Sequence, residues 1–227
     1  MQNNSRWHYL ETAEQVAEAA CRQILNAAES AISNRGKFKL VLAGGTTPEK
    51  VYQLLAASNA DWANWTIYYG DERCLPADHP DRNSVLASRA LLDNVAIPES
   101  HIFTIPAEMG PEIAADRYKV AVAKAGTFDM VLLGLGEDGH TASLFPGHQH
   151  PENELTHPVY NSPKPPSERV SISAKALSNA REVIFLVTGA NKQEIVKQWR
   201  SGADLPVAAI VPENPVDIYI DSDAFKP

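Results

Sequence analysis

FKLVLAGGTTPEKVYQLL, residues 38–55, is the stretch whose reading decides the fold. Its first six residues are an apolar run, too short for a helix and apolar on both faces, which is how a strand buried inside a parallel sheet reads. Gly44-Gly45 then breaks the run, Thr47 offers a side-chain oxygen as an N-cap, and Pro48 suits a first helical position. Val51, Leu54 and Leu55 supply the buried face of the helix that follows. One strand, one glycine turn and one helix make the repeating unit of an α/β protein. Working outward, Val16, Ala20, Ile24, Ala28 and Ile32 recur at helical steps over 11–34, and Gly36 closes that helix. Strand-like runs lie at 65–69, 102–105, 128–133, 170–173, 183–188, 208–211 and 218–220, with helical patterns at 83–93, 111–125 and 191–200. The alternation predicts a mostly parallel sheet covered by helices. Residues 148–166, with five prolines and three histidines, read as a surface loop that could lie over a cleft.

With 227 residues the chain is long enough for one large α/β domain, and no repeat or linker divides it, so 1–227 is read as one unit. A composition 44% hydrophobic and 21% charged is that of a folded globular protein. The net charge of −8 argues against nucleic acid and anionic membrane as partners, because both select a basic face. Two cysteines, Cys21 and Cys74, without metal-ligand spacing, fit a reducing compartment. Residues 1–11 have no apolar signal segment and no run suits a membrane span, so a cytoplasmic protein is expected. Oligomeric state is not readable.

In open α/β sheets ligands bind beyond the carboxyl ends of the strands, so the loops after strands carry the functional search. The first, Gly44-Gly45-Thr46-Thr47-Pro48, lets backbone approach a ligand at a helix N-terminus, where unpaired N–H groups and the dipole favour an anion. It lacks the spacing of a nucleotide-binding loop. Gly70-Asp71-Glu72-Arg73 follows the run at 65–69; Arg73 could clamp a phosphate while Asp71 or Glu72 holds the guanidinium, the plain alternative being a surface ion-pair cluster. The third, residues 134–146, sets Asp138 and His140 two apart among three glycines. That arrangement suits a general base with an orienting carboxylate, and the glycine amides could meet an oxyanion. Alternatively Asp138 caps a short helix over 141–145. No GxSxG elbow occurs, and Ser143, read as lying in a helical turn, has no evident base partner. His140 stands apart from other ligand-type residues, so no metal is expected.

GGTTP, GDER and LGLGEDGHTASLFPG, in this order and spacing, resemble the signatures of the 6-phosphogluconolactonase family. The likeness continues through Asp81–Asn83, where that family usually reads Asp-Ser-Asn and this chain has Arg82, and through Pro165-Pro166, Arg169-Val170, Thr188-Gly189 and Lys192. It implies a modified Rossmann-like fold with helices on both faces of the sheet, shared with glucosamine-6-phosphate deaminases. It also implies cofactor-free hydrolysis of 6-phospho-D-glucono-1,5-lactone to 6-phosphogluconate in the oxidative pentose phosphate pathway. Carried over by position, His140 would activate water near Asp138. Gly44, Gly45, Thr46, Arg73, Arg169 and Lys192 would surround phosphate and lactone, with Asp71, Glu72 and Asn83 in support. The deaminases carry a tyrosine-like position where Arg73 stands, and an Asn-Glu-Pro whose glutamate works with the histidine; here those three positions are Leu144-Phe145-Pro146, so the second carboxylate is missing. A phosphosugar-sensing domain of a transcription regulator would need a DNA-binding segment, which the acidic balance disfavours.

Overall fold

The computed structural model describes residues 5–151 and 153–225. In chain order the elements are β1 (Ser5–Leu10), α1 (Ala13–Arg35), β2 (Phe38–Leu42), α2 (Thr46–Ala56), β3 (Trp65–Tyr69), β4 (Asp71–Arg73), α3 (Asn83–Ala90), α4 (Pro111–Ala125), β5 (Phe128–Gly134), β6 (Thr156–Val159), β7 (Arg169–Ile172), α5 (Ala174–Ser178), β8 (Ala180–Val187), α6 (Gln193–Arg200) and β9 (Val216–Asp221). Six strands form one parallel sheet in the order β1-β9-β8-β5-β2-β3. β5 is buried along almost its whole length, as its mostly apolar run requires, and its one charged side chain, Asp129, is paired with Arg35. One hydrophobic core runs from Val16 on α1 to Ala224 beyond β9.

The strand order has a consequence for function. From β2 the chain crosses to β3 on one side, whereas β5, which pairs with the other edge of β2, connects onward to β8 in the opposite direction. Adjacent strands whose connections diverge open a crevice at their carboxyl ends. With the right-handed crossovers usual for such units, α1 and α2 share one face, α3 packs against α2, and the crossover helices α4 and α6 take the other face. The loops after β2 and β5 therefore meet at one switch point.

β4, β7 and β6 form a second, antiparallel sheet, which the sequence reading did not foresee. The chain passes between sheets at Gly70: its amide donates to the Leu42 carbonyl on β2, and its carbonyl accepts from the Ile172 amide at 2.8 Å. β4 is too short to show a hydrophobic period, and β6 lies inside the proline-rich segment expected to be loop. Two expected strands are absent. Residues 102–105 give one bridge, Ile67 with Ile102, before Pro106 ends the edge, and residues 206–209 form a 3-10 turn with Pro206 at its start. β1, unforeseen, packs Trp7 and Leu10 against the core and is tied by charge as well: Arg6 donates two hydrogen bonds to buried Asp217, and His8 lies 2.7 Å from the same carboxylate.

Candidate active site

A cleft of about 380 Å³ opens where the two loops meet, lined by Gly44 and Gly45 after β2, His140 and Thr141 after β5, and Asp71, Arg73, Asn83, Lys164 and Arg169 from elsewhere in the chain. A larger cavity of about 550 Å³, lined by Tyr69, Arg82 and Glu108 among others, contains neither the motif glycines nor His140, so chemistry rather than size picks out the site.

His140 is presented by a turn that closes on itself. The Gly136 amide donates to the His140 carbonyl at 2.8 Å and Gly139, at φ 86°, donates to the Gly136 carbonyl. The Thr141 hydroxyl ties the turn to Gly134 at the end of β5. Inside it, His140 Nδ1 lies 2.5 Å from Asp138 Oδ1, which also accepts the His140 amide at 3.2 Å. With Nδ1–H donated to a carboxylate, Nε2 carries the lone pair. Gly136 is obligatory here, because a Cβ on it would fall 2.0 Å from His140 Nδ1 and 2.6 Å from Asp138 Oδ1. The Phe145 ring packs against the imidazole at a centroid distance of 4.7 Å. Burial pushes His140 below the ordinary histidine range, with Asp138 pulling it part of the way back. For Asp138, burial pushes upward, but the imidazole and the backbone N–H bonds outweigh it and hold the carboxyl below its usual range.

Three expectations for this loop need correcting. Asp138 caps no helix, because Ala142 adopts a left-handed φ of 47° that a right-handed helix excludes, and Thr141 pairs with Leu144 in an isolated bridge instead. The amides of Gly136 and Gly139 are spent inside the turn and are not available to an oxyanion. Ser143 does have a carboxylate partner, Asp71 Oδ2 at 2.5 Å, but it is fully buried and does not line the cleft. A further correction concerns α2, which starts at Thr46 with Gly45 as its cap, so Thr47 is helical and its hydroxyl meets that of Thr188 at 2.7 Å.

The same cleft gathers cations. Arg73 directs Nη1 to the Asp81 carbonyl at 2.5 Å, and the first turn of α2 leaves backbone N–H groups without intrahelical acceptors. Asn83 donates to both the carbonyl and the carboxylate of Asp71 at 3.0 Å, and its Oδ1 occupies the space of a Cβ on Gly44. Arg169, expected to touch substrate, lines the cleft; its Nε and Nη2 donate to carbonyls of Lys164, Pro165 and Pro166, and its Nη1 lies 4.0 Å from Asp71 Oδ2. It thereby holds the turn that brings Lys164 to the cleft. Lys164 was missed; its signal was available, as it is the one Lys or Arg between 148 and 166, set among prolines. Thr46, Glu72, Asp138 and Lys192 do not line the cleft. Lys192 is half-buried; burial lowers its pKa, and Glu137, Lys164 and Asp138 are the charges it senses. Among the described residues no group of three His, Cys, Asp or Glu side chains is set to hold a metal, and no helix is long and apolar enough to cross a membrane.

The family described as glucosamine-6-phosphate isomerases/6-phosphogluconolactonase matches residues 11–219. The chain belongs to that family. Within it, a 6-phosphogluconolactonase of Synechocystis is 37% identical over 207 residues, 86% of each chain. The crystal structure of a 6-phosphogluconolactonase from Thermotoga maritima superposes with a TM-score of 0.90 at 25% identity, covering 96% of this chain and 100% of the other. A monomeric glucosamine-6-phosphate deaminase superposes with a TM-score of 0.84 over 96% of this chain and 98% of its own, but at 23% identity, a likeness of fold alone.

Proposed function

We propose that the chain hydrolyses 6-phospho-D-glucono-1,5-lactone to 6-phosphogluconate, with His140 as general base. The observation that carries this reading is the Asp138–His140 pair at the end of β5, facing Arg73, Lys164 and the Gly44-Gly45 turn across one cleft. Nε2 takes a proton from water as its oxygen attacks the lactone carbonyl carbon. Asp138 favours the imidazolium so formed. When the ring C–O bond breaks, the imidazolium returns the proton to the departing C5 oxygen, giving the open acid. Arg73, with the amides of Gly44 and Gly45 ahead of α2, takes the phosphate. Lys164, whose charge acts on His140, stands on the lactone side and stabilises the tetrahedral oxyanion. Asp71, Glu72, Asn83 and Arg169 position these groups. Residues 1–227 act as one catalytic unit, supported by their single core, and the free thiols Cys21 and Cys74 suit the cytoplasm.

Phe145 supports lactone opening over the amino-sugar reaction. It fills the ground beside His140 with an apolar ring, where a deaminase-type site needs a second carboxylate. The test is a coupled assay on freshly generated lactone with spontaneous hydrolysis subtracted, run beside glucosamine 6-phosphate. Acceleration of the lactone and no fructose 6-phosphate is the expected result. Fructose 6-phosphate formed at a comparable rate would overturn it.

A further inference from the structure

β4 alternates: Asp71 and Arg73 face the cleft, while Glu72 points the other way and is fully buried. Its carboxylate is used completely. Oε1 accepts the amides of Arg73 and Asn83, and Oε2 accepts the amide of Ser84, all at 2.8 Å. α3 begins at Asn83 without a side-chain cap of its own, because Arg82 at that position makes none. Glu72 therefore caps the helix from another element, and one carboxylate fixes the backbone of two residues that line the cleft. A buried carboxylate needs a countercharge. Arg82, 3% exposed, supplies it: Nε lies 3.4 Å from Glu72 Oε2, Nη1 donates to Glu108 at 2.9 Å, and Nη2 donates to the Ile105 carbonyl at 2.7 Å.

We propose that Arg82 is a positioning residue for substrate binding, acting through Glu72 on Arg73 and Asn83. The inference rests on the lactonase reading, in which those two residues serve the phosphate end of the site. Two links run from Arg82 to the cleft. One passes through Glu72 to the backbone amides of Arg73 and Asn83. The other is the chain itself, since Arg73 Nη1 is held by the carbonyl of Asp81, the residue next to Arg82. Asn83 in turn lies against Gly44 so closely that a Cβ there would come within 2.0 Å of its Oδ1, so a shift in the start of α3 displaces the glycine turn as well. None of these contacts touches Asp138 or His140, which hydrogen-bond each other; the nearest link is Asn83 to Asp71, whose charge His140 senses only weakly beside that of Asp138. Arg82 thus sets the geometry of anchoring and leaves the proton transfer alone.

The test compares Arg82→Met, Arg82→Lys and Glu108→Gln on the phosphorylated lactone and on unphosphorylated gluconolactone. Arg82→Met should raise KM for the phosphorylated substrate by about tenfold, and Arg82→Lys and Glu108→Gln by about threefold, with kcat held within about twofold. Turnover of the unphosphorylated lactone should not change. A role in folding alone would lower Tm and the active fraction at constant KM. If Arg82→Met does not fold, the other two variants decide, since Glu108 is partly exposed and Lys keeps the charge on Glu72. An unchanged KM in both, while Arg73→Ala still raises it, overturns the proposal and leaves the lactonase reading standing. An unchanged KM in Arg73→Ala as well overturns the assignment of the phosphate end itself.

Discussion

The two halves of the cleft are built in opposite ways. The half that carries the base is local: Asp138 and His140 stand two residues apart in a turn whose hydrogen bonds are its own, and Gly136 is kept free of a Cβ by their contact. The half that carries the anchors is assembled from distant segments: the end of β2, β4, the start of α3 and the 164–169 turn, with Glu72 and Arg169 buried as fasteners. A local turn gives a fixed geometry and a tuned proton acceptor. A composite site gives a spread of donors that matches a charged, extended substrate, at the cost of depending on many contacts. The two halves should therefore fail differently.

The largest effect is expected from His140→Asn, which removes the base and leaves the anchors. We expect kcat to fall by about 10²–10⁴ with KM little changed. Loss appearing only in KM would erase the division between the halves. On the other side, Arg73→Ala should cost about 1.5–3 kcal/mol of binding for the phosphorylated lactone, the scale of a charged hydrogen bond, and reduce discrimination against the unphosphorylated compound to match. A fall in kcat with no change in discrimination would place Arg73 in the chemistry instead. Lys192→Ala sharpens the boundary of the site. Half-buried within reach of the charges of Lys164 and Asp138 but off the cleft lining, it should weaken binding by less than Arg73→Ala does. A loss as large as that of Arg73→Ala would bring it into the anchoring half.

The same division explains what could be read in the sequence. The strand at 38–42, its glycine turn and the helix after it were legible because their pattern is local, and so was the Asp138–His140 pairing as a candidate. β1 was hidden because its pairing depends on Asp217, more than 200 residues away, and β6 because proline content masked a four-residue ladder with β7. Ser143 was read without a partner because Asp71 lies 72 residues upstream and reaches it only across the fold. Arg169 was recognisable as a cation, but nothing in its surroundings told that Nε and Nη2 would go to backbone carbonyls while Lys164 joined it in the cleft lining. Sequence shows residue types and near neighbours; it does not show how the donors of one arginine are divided.

The central claim, that His140 is the base and that its burial beneath Phe145 tunes it, is tested most directly by kcat/KM against pH, which reports the unliganded enzyme, on unphosphorylated gluconolactone, which has no phosphate to titrate, with spontaneous hydrolysis subtracted at each point. Burial lowers the His140 pKa, so neutral, proton-accepting imidazole persists to pH values below the ordinary 6.5. The account predicts an acidic limb with its midpoint below 6.5 in the native enzyme and no such limb in the residual activity of His140→Asn. A midpoint above 6.5, or a limb that survives the substitution unchanged, would contradict it.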